Sequence, residues 1–473
     1  MNAEQSNPGE RGEDGPPRGW SLRIMFAAVT SALLVLCAIG GRFGPIGAHP
    51  LTLAFGSAHP SIPAGWFILL YALTWGAGLS LLLLLPRNRR SGVTAAWVLG
   101  LALLCRLLLM PHETSDDVNR YLWEGRLAGL GVNPYAHPPD DPALARMAQH
   151  DPYHADVNHP DMPGAYPPLC VLIFAGVASL WYHPLAIKGV IVAFDTGTLC
   201  LLLSMLQRRG RDPRWAVLYA LNPVVLYAFA GQAHLDAIQN FWFMAALWAW
   251  DRGRWVWMFT LAGLAIQGKY VAMLGVPLFV RRDNWRYAPL LVIPAILPFV
   301  PFLAMRDGPV TGSLFKIGTE FAFNGPVHGP LRALFGGIAP ASLCVGAMLA
   351  AVLLFGYWRF HPDLNPRYRQ DPAAGCFFAL GALIILSPTV HFWYLAWIVP
   401  FLALYPKISW TVLCLTASVY FVTNGISYQT GEWRLPLAAQ LVEWAPFGAL
   451  LLWEGIGAVR RRGAFRASET VIA

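Results

Sequence analysis

The chain has 473 residues, of which 56% are hydrophobic and 13% are charged, and its formal net charge is +8. Soluble domains carry about 25% charged residues, so this composition excludes a soluble globular protein and indicates a polytopic membrane protein. The basic excess comes largely from short arginine clusters between apolar runs, which is typical of membrane topology signals and not of a nucleic-acid-binding surface.

The first 20 residues are rich in Glu, Gly, Pro and Arg, which predicts a disordered cytoplasmic N-terminus. The apolar run after them is as long as a bilayer is thick, which favours a transmembrane helix over a signal peptide. Similar runs recur along the chain and predict an all-α fold with about 14 crossings. The predicted spans are 22–41, 64–85, 93–110, 187–206, 214–230, 236–250, 254–268, 270–281, 286–305, 338–358, 373–388, 391–405, 408–424 and 437–457.

The arginine clusters set the predicted orientation. With a cytoplasmic N-terminus, the predicted crossings put nearly every cluster on the cytoplasmic side, as the positive-inside rule requires. Counting the apolar segment from Tyr166 to Trp181 as a further crossing would export every later cluster. We therefore predict that this segment is an interfacial helix, opened by Tyr166-Pro167-Pro168 and ended before Pro184.

The predicted organisation has five parts. They are a cytoplasmic N-terminus (1–20), N-terminal transmembrane helices (21–110), a large external loop with interfacial helices (111–186), a transmembrane bundle (187–458) and a cytoplasmic tail (459–473).

Asp116 and Asp117 follow the third predicted span in an otherwise weakly charged protein. An unpaired carboxylate in hydrocarbon is costly, so the pair must face water at the membrane surface. The residues alone leave two interpretations open. The pair is either an acidic cap on an interfacial helix or a source of a general base, whose pKa a neighbouring carboxylate raises.

Other polar residues stand in later outer connections. His234 and Asp236 lie in one of them, and His391 follows a proline break in another. Lys269 stands on the outer side against the positive-inside bias, which implies a compensating anion, either a phosphate or Asp236.

Two further sets of residues are given structural roles. Arg106 and Asp195 are ionisable residues inside predicted spans, and we expect them to form a structural pair. The histidines of the external loop match no compact metal-binding motif, so a hydrophilic loop is favoured over a metal site. These histidines are His137, His150, His154 and His159.

Taken in chain order, these residues resemble the integral-membrane glycosyltransferases of the GT-C superfamily. The likeness is greatest to the bacterial polyprenol-phosphate-mannose-dependent mannosyltransferases and their GT87-like relatives, and it spans about residues 100–405. The motifs that carry it are the segment from Asp116 to Arg126, Gly131 to Tyr135, Tyr166 to Leu169, Lys188 to Asp195, Ala220 to Pro223, Gly231 to Ala237, Lys269, and Ser387 to Tyr394.

The resemblance implies a GT-C-like fold and an inverting hexosyltransferase in the inner (plasma) membrane. Its donor would be a polyprenyl-phosphate sugar, with mannose as the expected hexose, and its acceptor a lipid or glycan. The active site would face the periplasm or cell exterior. No cofactor is expected, a divalent metal is left open, and nucleic acid is not a partner. The alternative is a transporter or flippase of a lipid-linked or small solute, which predicts internal repeats and polar groups near the bilayer midplane.

The resemblance also implies roles for individual residues. It makes 111–186 the catalytic loop, with Asp116 the better match to the family's catalytic carboxylate and Asp117 the alternative. It places donor binding on the outer loops of the bundle. The residues expected to bind the donor phosphate or substrate are Arg120, Tyr166, His234, Asp236, Lys269 and His391.

Overall fold

The computed structural model describes residues 18–45, 61–88, 91–305, 308, 312–314, 316, 320–361, 363–365 and 371–470. Of the N-terminal segment predicted to be disordered, residues 1–17 lie outside the described residues. Residues 18–20 belong to the first helix, which begins at Arg18. Within the described ranges, the only named strands are β1 (Gly44–Pro45) and β2 (Ser61–Ile62), which pair in parallel. The prediction of an all-helical fold is confirmed.

Long helices alternate with short ones along the chain. Those of the first half are α1 (Arg18–Arg42), α2 (Ala64–Leu84), α3 (Gly92–Leu109), α4 (Asp117–Gly129), α5 (Ala145–Ala148), α6 (Pro168–Leu180), α7 (Pro184–Arg208), α8 (Val217–Ala220) and α9 (Pro223–Val225). Those of the second half are α10 (Asp236–Trp250), α11 (Trp255–Gly268), α12 (Val276–Phe279), α13 (Val292–Ile296), α14 (Val300–Met305), α15 (His328–Phe335), α16 (Ile338–Phe360), α17 (Pro372–Leu386), α18 (Val399–Leu404), α19 (Ile408–Thr416), α20 (Val422–Thr430) and α21 (Leu437–Thr470).

Tighter or wider helical turns connect several of these helices. The 3₁₀ segments are Pro142–Leu144, His154–Asp156, Pro213–Ala216, Tyr270–Gly275, Trp285–Leu291, Leu297–Phe299, Phe392–Trp397 and Ala417–Phe421, and a π-helix spans Leu226–Gly231.

Seven helical segments among the described residues are long and apolar enough to cross a membrane. They are Ser21–Arg42, Ala64–Leu84, Gly92–Leu109, Pro184–Arg208, Trp285–Met305, Ile338–Phe360 and Ile408–Ser427. A multi-pass membrane protein is therefore confirmed, whereas the count of 14 crossings and the orientation remain predictions. At 13 residues, α6 is about 20 Å long, which is shorter than the ~30 Å hydrocarbon core. Helix α11 has 14 residues and is likewise shorter than the hydrocarbon core.

Close packing between helices gathers three of their ends in one place. Helix α4 lies against α6, and Gly125 permits this contact, because a Cβ there would lie 2.6 Å from the Phe174 backbone carbon. The N-terminus of α6 meets the C-terminus of α11, where the Leu169 amide donates to the Gln267 Oε1 at 3.2 Å. Helix α11 also packs along α10. The beginnings of α4 and α10 and the end of α11 consequently lie near one another.

A buried ion pair joins α3 to α7. The Arg106 guanidinium donates to both carboxylate oxygens of Asp195, at 2.6 and 3.0 Å. The Tyr219 hydroxyl also donates to Asp195, at 2.7 Å, and both charged side chains are fully buried. The predicted pairing of Arg106 with Asp195 is confirmed.

Candidate active site

The N-terminus of α4 is tied to the turn that precedes α10. The Ser115 amide donates to the Gln232 carbonyl at 3.1 Å, and the Leu235 amide donates to the Tyr121 hydroxyl at 3.4 Å. These contacts bring the start of the external loop beside His234, which lies far away in the sequence.

Asp117 is the centre of the resulting cluster. Its Oδ1 accepts hydrogen bonds from Asn158 Nδ2 at 2.8 Å and from the Tyr166 hydroxyl at 3.0 Å. Its Oδ2 lies 3.4 Å from His234 Nδ1, longer than a good hydrogen bond. The Asp117 side chain remains 20% exposed. One carboxylate oxygen is therefore fixed, while the other has a single loose partner and access to a small molecule.

Asp116 has a different environment. Its Oδ1 accepts from the Ser115 hydroxyl at 3.1 Å and from the Asp117 amide at 3.0 Å, and it stands at the N-cap of α4. The residue is exposed, and its two closest hydrogen bonds are made with its own neighbours in the sequence, although Asn158 and the charge of His234 also act on its pKa. The capping interpretation thus fits Asp116, whereas the geometry brings Asp117 to the other predicted site residues.

The electrostatics of the two carboxylates diverge. For Asp116, desolvation by the surrounding loop and the nearby charge of Asp117 raise the pKa. For Asp117, burial acts to raise the pKa, but the nearby His234, together with the hydrogen bonds from Asn158 and Tyr166, outweighs it. The net effect holds the pKa of Asp117 below its ordinary value, so this carboxylate is ionised at neutral pH.

Arg120 organises the external loop. It donates to Glu124 Oε1 at 2.7 Å and to the carbonyls of Asn158 and His159 at 3.0 and 3.2 Å, and it also donates to the Met162 carbonyl. The side chain is almost fully buried. Since its donors are used on the segment that carries Asn158, the structure places Arg120 behind the cluster, where it holds Asn158 against Asp117.

An aromatic stack extends from His234 away from Asp117. The His234 ring stacks on Trp393 with centroids 3.9 Å apart, and Trp393 stacks on His391 at 4.3 Å. His391 stacks in turn on Phe323 at 5.1 Å, and its Nδ1 lies 3.1 Å from the Tyr420 hydroxyl. Burial, with the positive charges of His234 and Lys269 adding to it, lowers the pKa of His391 to about 3. His391 is therefore neutral at physiological pH.

Lys269 and Asp236 form the third part of the cluster. Lys269 Nζ lies 2.6 Å from Asp236 Oδ1, and the Trp397 indole also donates to that oxygen. The ammonium stands over the rings of Tyr394 and Trp397, at 4.8 and 5.0 Å from their centroids. The compensating anion in this structure is therefore Asp236. Since the Lys269 side chain is 24% exposed and an ammonium has three donors, it can also donate to a ligand.

The sequence profile of a known family matches the part of the chain that builds most of this site. The MptA/B family, described as alpha-(1->6)-mannopyranosyltransferase, N-terminal domain, matches residues 26–282, more than half of the chain. The chain belongs to this family. It is therefore a membrane mannosyltransferase that depends on polyprenyl-phosphate mannose, as the sequence motifs predicted. Neither a curated protein nor a solved structure matches the chain.

The matched range of the MptA/B family contains Asp117, His234 and Lys269, whereas His391 lies beyond it. The enzyme assignment agrees with the gathering of polar groups at one end of the bundle and sets the transporter alternative aside. Among the described residues, no three His, Cys, Asp or Glu side chains gather as a metal site. His137 instead pairs with Asp141 at 2.7 Å, and His154 packs edge-on against Trp123.

Some residues of this mannosyltransferase site gave little signal in the sequence. Asn158 lies in a loop without periodicity, and contacts from Arg120 and Asn119 of α4 hold its segment beside Asp117. Trp393 has an ordinary composition for a membrane interface, yet it links the two histidines. The proline break at Ser387-Pro388 and His391 after it were the sequence features that pointed to this segment.

Proposed function

We propose that the chain transfers a mannosyl group from polyprenyl-phosphate mannose to a hydroxyl of a lipid or glycan acceptor, with Asp117 as general base. The observation that supports this proposal is that Tyr166 and His234 both contact the partly accessible carboxylate of Asp117. The chain that builds this site belongs to the mannosyltransferase family. The site is proposed to face the periplasm or cell exterior, because the arginine clusters then lie on the cytoplasmic side.

The proposed reaction is a single displacement. The acceptor hydroxyl oxygen forms a bond to C1 of the mannosyl group while the bond from C1 to the phosphate oxygen breaks. The hydroxyl proton passes to Asp117 Oδ2, and the electron pair of the broken bond leaves with polyprenyl phosphate. Attack from the face opposite the leaving group inverts C1, as in other single-displacement glycosyl transfers.

Asp117 is favoured over Asp116 as the base because of its partners. Its carboxylate is held by groups from three segments of the chain, which fixes it in one orientation for the reaction. Asp116, in contrast, is used in capping its own helix. The loose His234 contact is suited to this role, because catalytic hydrogen bonds often tighten only when substrate is bound.

The leaving phosphate is assigned to Lys269. His234 acts through Asp117, because its side chain is 1% exposed and its Nε2 lies 3.2 Å from Gln232 Oε1. Positive donors near the departing oxygen stabilise the charge that develops there. Lys269 keeps free N–H donors beside its pair with Asp236, and the buried neutral His391 supports the ring of Trp393 on which His234 lies. In this proposal His391 positions the stack and does not carry charge.

The test is transfer from radiolabelled polyprenyl-phosphate mannose in membranes that contain Asp117→Asn or the matched control Asp116→Asn. General base catalysis contributes about 10²- to 10⁴-fold, so Asp117→Asn should lose at least about 100-fold in rate. Asp116→Asn should keep most activity, because Asn caps a helix as well as Asp does. Full activity in Asp117→Asn would overturn the assignment, and loss confined to Asp116→Asn would transfer the role to Asp116.

A further inference from the structure

A cavity of about 270 Å³ lies at the far end of the aromatic stack. We name it the Trp433 cavity and define it by six of its lining residues: Phe323, Asn324, Arg332, Trp433, Arg434 and Gln440. Its volume is just below the range of about 300–1,000 Å³ for pockets that hold drug-sized ligands, so it has room for a single sugar ring.

The stack connects this cavity to the proposed active site. Phe323 is shared between them, because its ring stacks on His391 at 5.1 Å and lies 6.4 Å from the ring of Trp433. Between Phe323 and Asp117 stand the rings of His391, Trp393 and His234. A group in the cavity is consequently several ring widths from the reacting atoms, so it must belong to a different part of the substrate.

The lining has the chemistry of a carbohydrate site. Trp433 is 47% exposed and offers an indole face, which suits the apolar face of a pyranose ring. Arg332 is exposed and forms no ion pair among the described residues, and Arg434 pairs only with the exposed Glu432. The guanidinium groups present hydrogen-bond donors for the hydroxyls at the edge of a sugar ring, whereas the Gln440 amide donates to the Leu435 carbonyl at 2.8 Å and leaves its oxygen as an acceptor.

The floor of the cavity is fixed before any ligand arrives. Asn324, which has a positive φ of 57°, donates to Glu443 Oε2 at 2.9 Å and accepts from the Trp444 indole at 3.0 Å. The neighbouring Phe323 amide donates to the Pro388 carbonyl, and its own carbonyl accepts from the Val390 amide at 2.8 Å. A preformed site loses less free energy to ordering when a ligand binds.

We propose that the Trp433 cavity is an acceptor subsite, which holds a sugar residue of the acceptor glycan beyond the one that receives mannose. This inference rests on the proposed function. The family's alpha-(1->6) linkage implies a hexose acceptor whose 6-hydroxyl attacks, so a pyranose stands at Asp117 and the next residues of the glycan run along the stack. The donor phosphate is bonded to the reacting C1 and must therefore lie near Asp117, which excludes it from the cavity.

The test compares two acceptors in purified full-length protein, octyl α-mannopyranoside and the corresponding α-(1→6)-linked mannotrioside. Trp433→Ala should raise KM for the trioside roughly tenfold, because a well-packed aromatic contact in a binding site is often worth that much. It should leave kcat/KM for the monosaccharide acceptor unchanged. Arg332→Gln should act in the same direction, and it keeps the test available if Trp433→Ala does not fold. Trp181→Ala is the control, since Trp181 is 54% exposed and lies outside the cavity.

Saturation-transfer NMR can measure binding of the trioside in the absence of donor. This measurement separates the subsite inference from the proposed function, because it does not depend on transfer. Weaker binding to Trp433→Ala, with normal binding to Trp181→Ala, supports the subsite even if transfer is not observed. Equal effects of Trp433→Ala on both acceptors would overturn the inference. A raised KM for the donor with both acceptors would overturn it too, and would assign the cavity to a lipid phosphate.

Discussion

Two charged clusters in this protein contrast sharply. The Arg106–Asp195 pair inside the bundle is fully buried, bidentate and also bonded to Tyr219. Asp117, at the end of the bundle, is partly exposed and has one carboxylate oxygen with only a long contact to His234. A cluster whose hydrogen-bonding groups are satisfied within the protein stabilises the fold, whereas one that keeps capacity for a further partner can bind and react. The contrast separates a structural ion pair from the carboxylate that we propose as the catalytic base.

The largest expected effect is on the structural cluster. Arg106→Met should leave the Asp195 carboxylate buried without its partner, and removal of one member of a buried pair costs about 3–5 kcal/mol. Thermal unfolding in detergent should show a strongly lowered midpoint or no folded protein. The double variant Arg106→Met/Asp195→Leu should be more stable than the single one. An unchanged midpoint for Arg106→Met would show that the pair does not stabilise the bundle.

Arg120→Gln comes next, because it disturbs the segment that holds the proposed base, Asp117. The change removes the fork that holds Asn158 and His159, and misplacement of a reacting group by about 1 Å can cost about 100-fold in rate. We expect kcat/KM to fall by that order and the segment around Asn158 to become sensitive to protease. Arg120→Lys is the matched control, and it should not restore activity, because a lysine cannot donate to several carbonyls in a fixed plane.

A drop in activity without increased protease sensitivity would contradict this account. It would instead favour direct contact between Arg120 and the donor phosphate, which the sequence motifs implied.

His234→Gln should have a smaller effect, seen mainly in the pH profile. His234 lowers the pKa of Asp117, so its loss should raise that pKa toward the ordinary value. A smaller fraction of Asp117 is then ionised in acid, and the acidic limb of the kcat/KM profile should move to higher pH. Since only the ionised form acts as base, the rate near neutral pH should change less. An acidic limb at the wild-type position would contradict the coupling.

Several features could be predicted from the sequence because they depend on local pattern or on charge in apolar surroundings. The apolar spans, the Arg106–Asp195 pair and the implication of an anion beside Lys269 are of this kind, and the structure supplies Asp236 as that anion. The motifs also predicted the mannosyltransferase family correctly.

Other features depend on contacts between distant segments. Asn158 reaches Asp117 because Arg120 holds the loop back against α4. The stack of His234, Trp393 and His391 forms where two separate turns meet. The preference for Asp116 over Asp117 rested on the order of residues in a motif. In the structure the Asp116 carboxylate accepts a hydrogen bond at the start of its own helix. Asp117 contacts the other site residues, and it is therefore the base that we propose.

The most direct test of the contrast is to measure thermal unfolding and mannosyl transfer on the same purified Asp117→Asn protein. Asn keeps an oxygen for the Asn158 and Tyr166 hydrogen bonds but cannot accept the acceptor proton. We expect an unfolding midpoint close to that of the wild type together with a rate lowered by about 100-fold or more. A normal rate, or a loss of rate that accompanies unfolding, would contradict it.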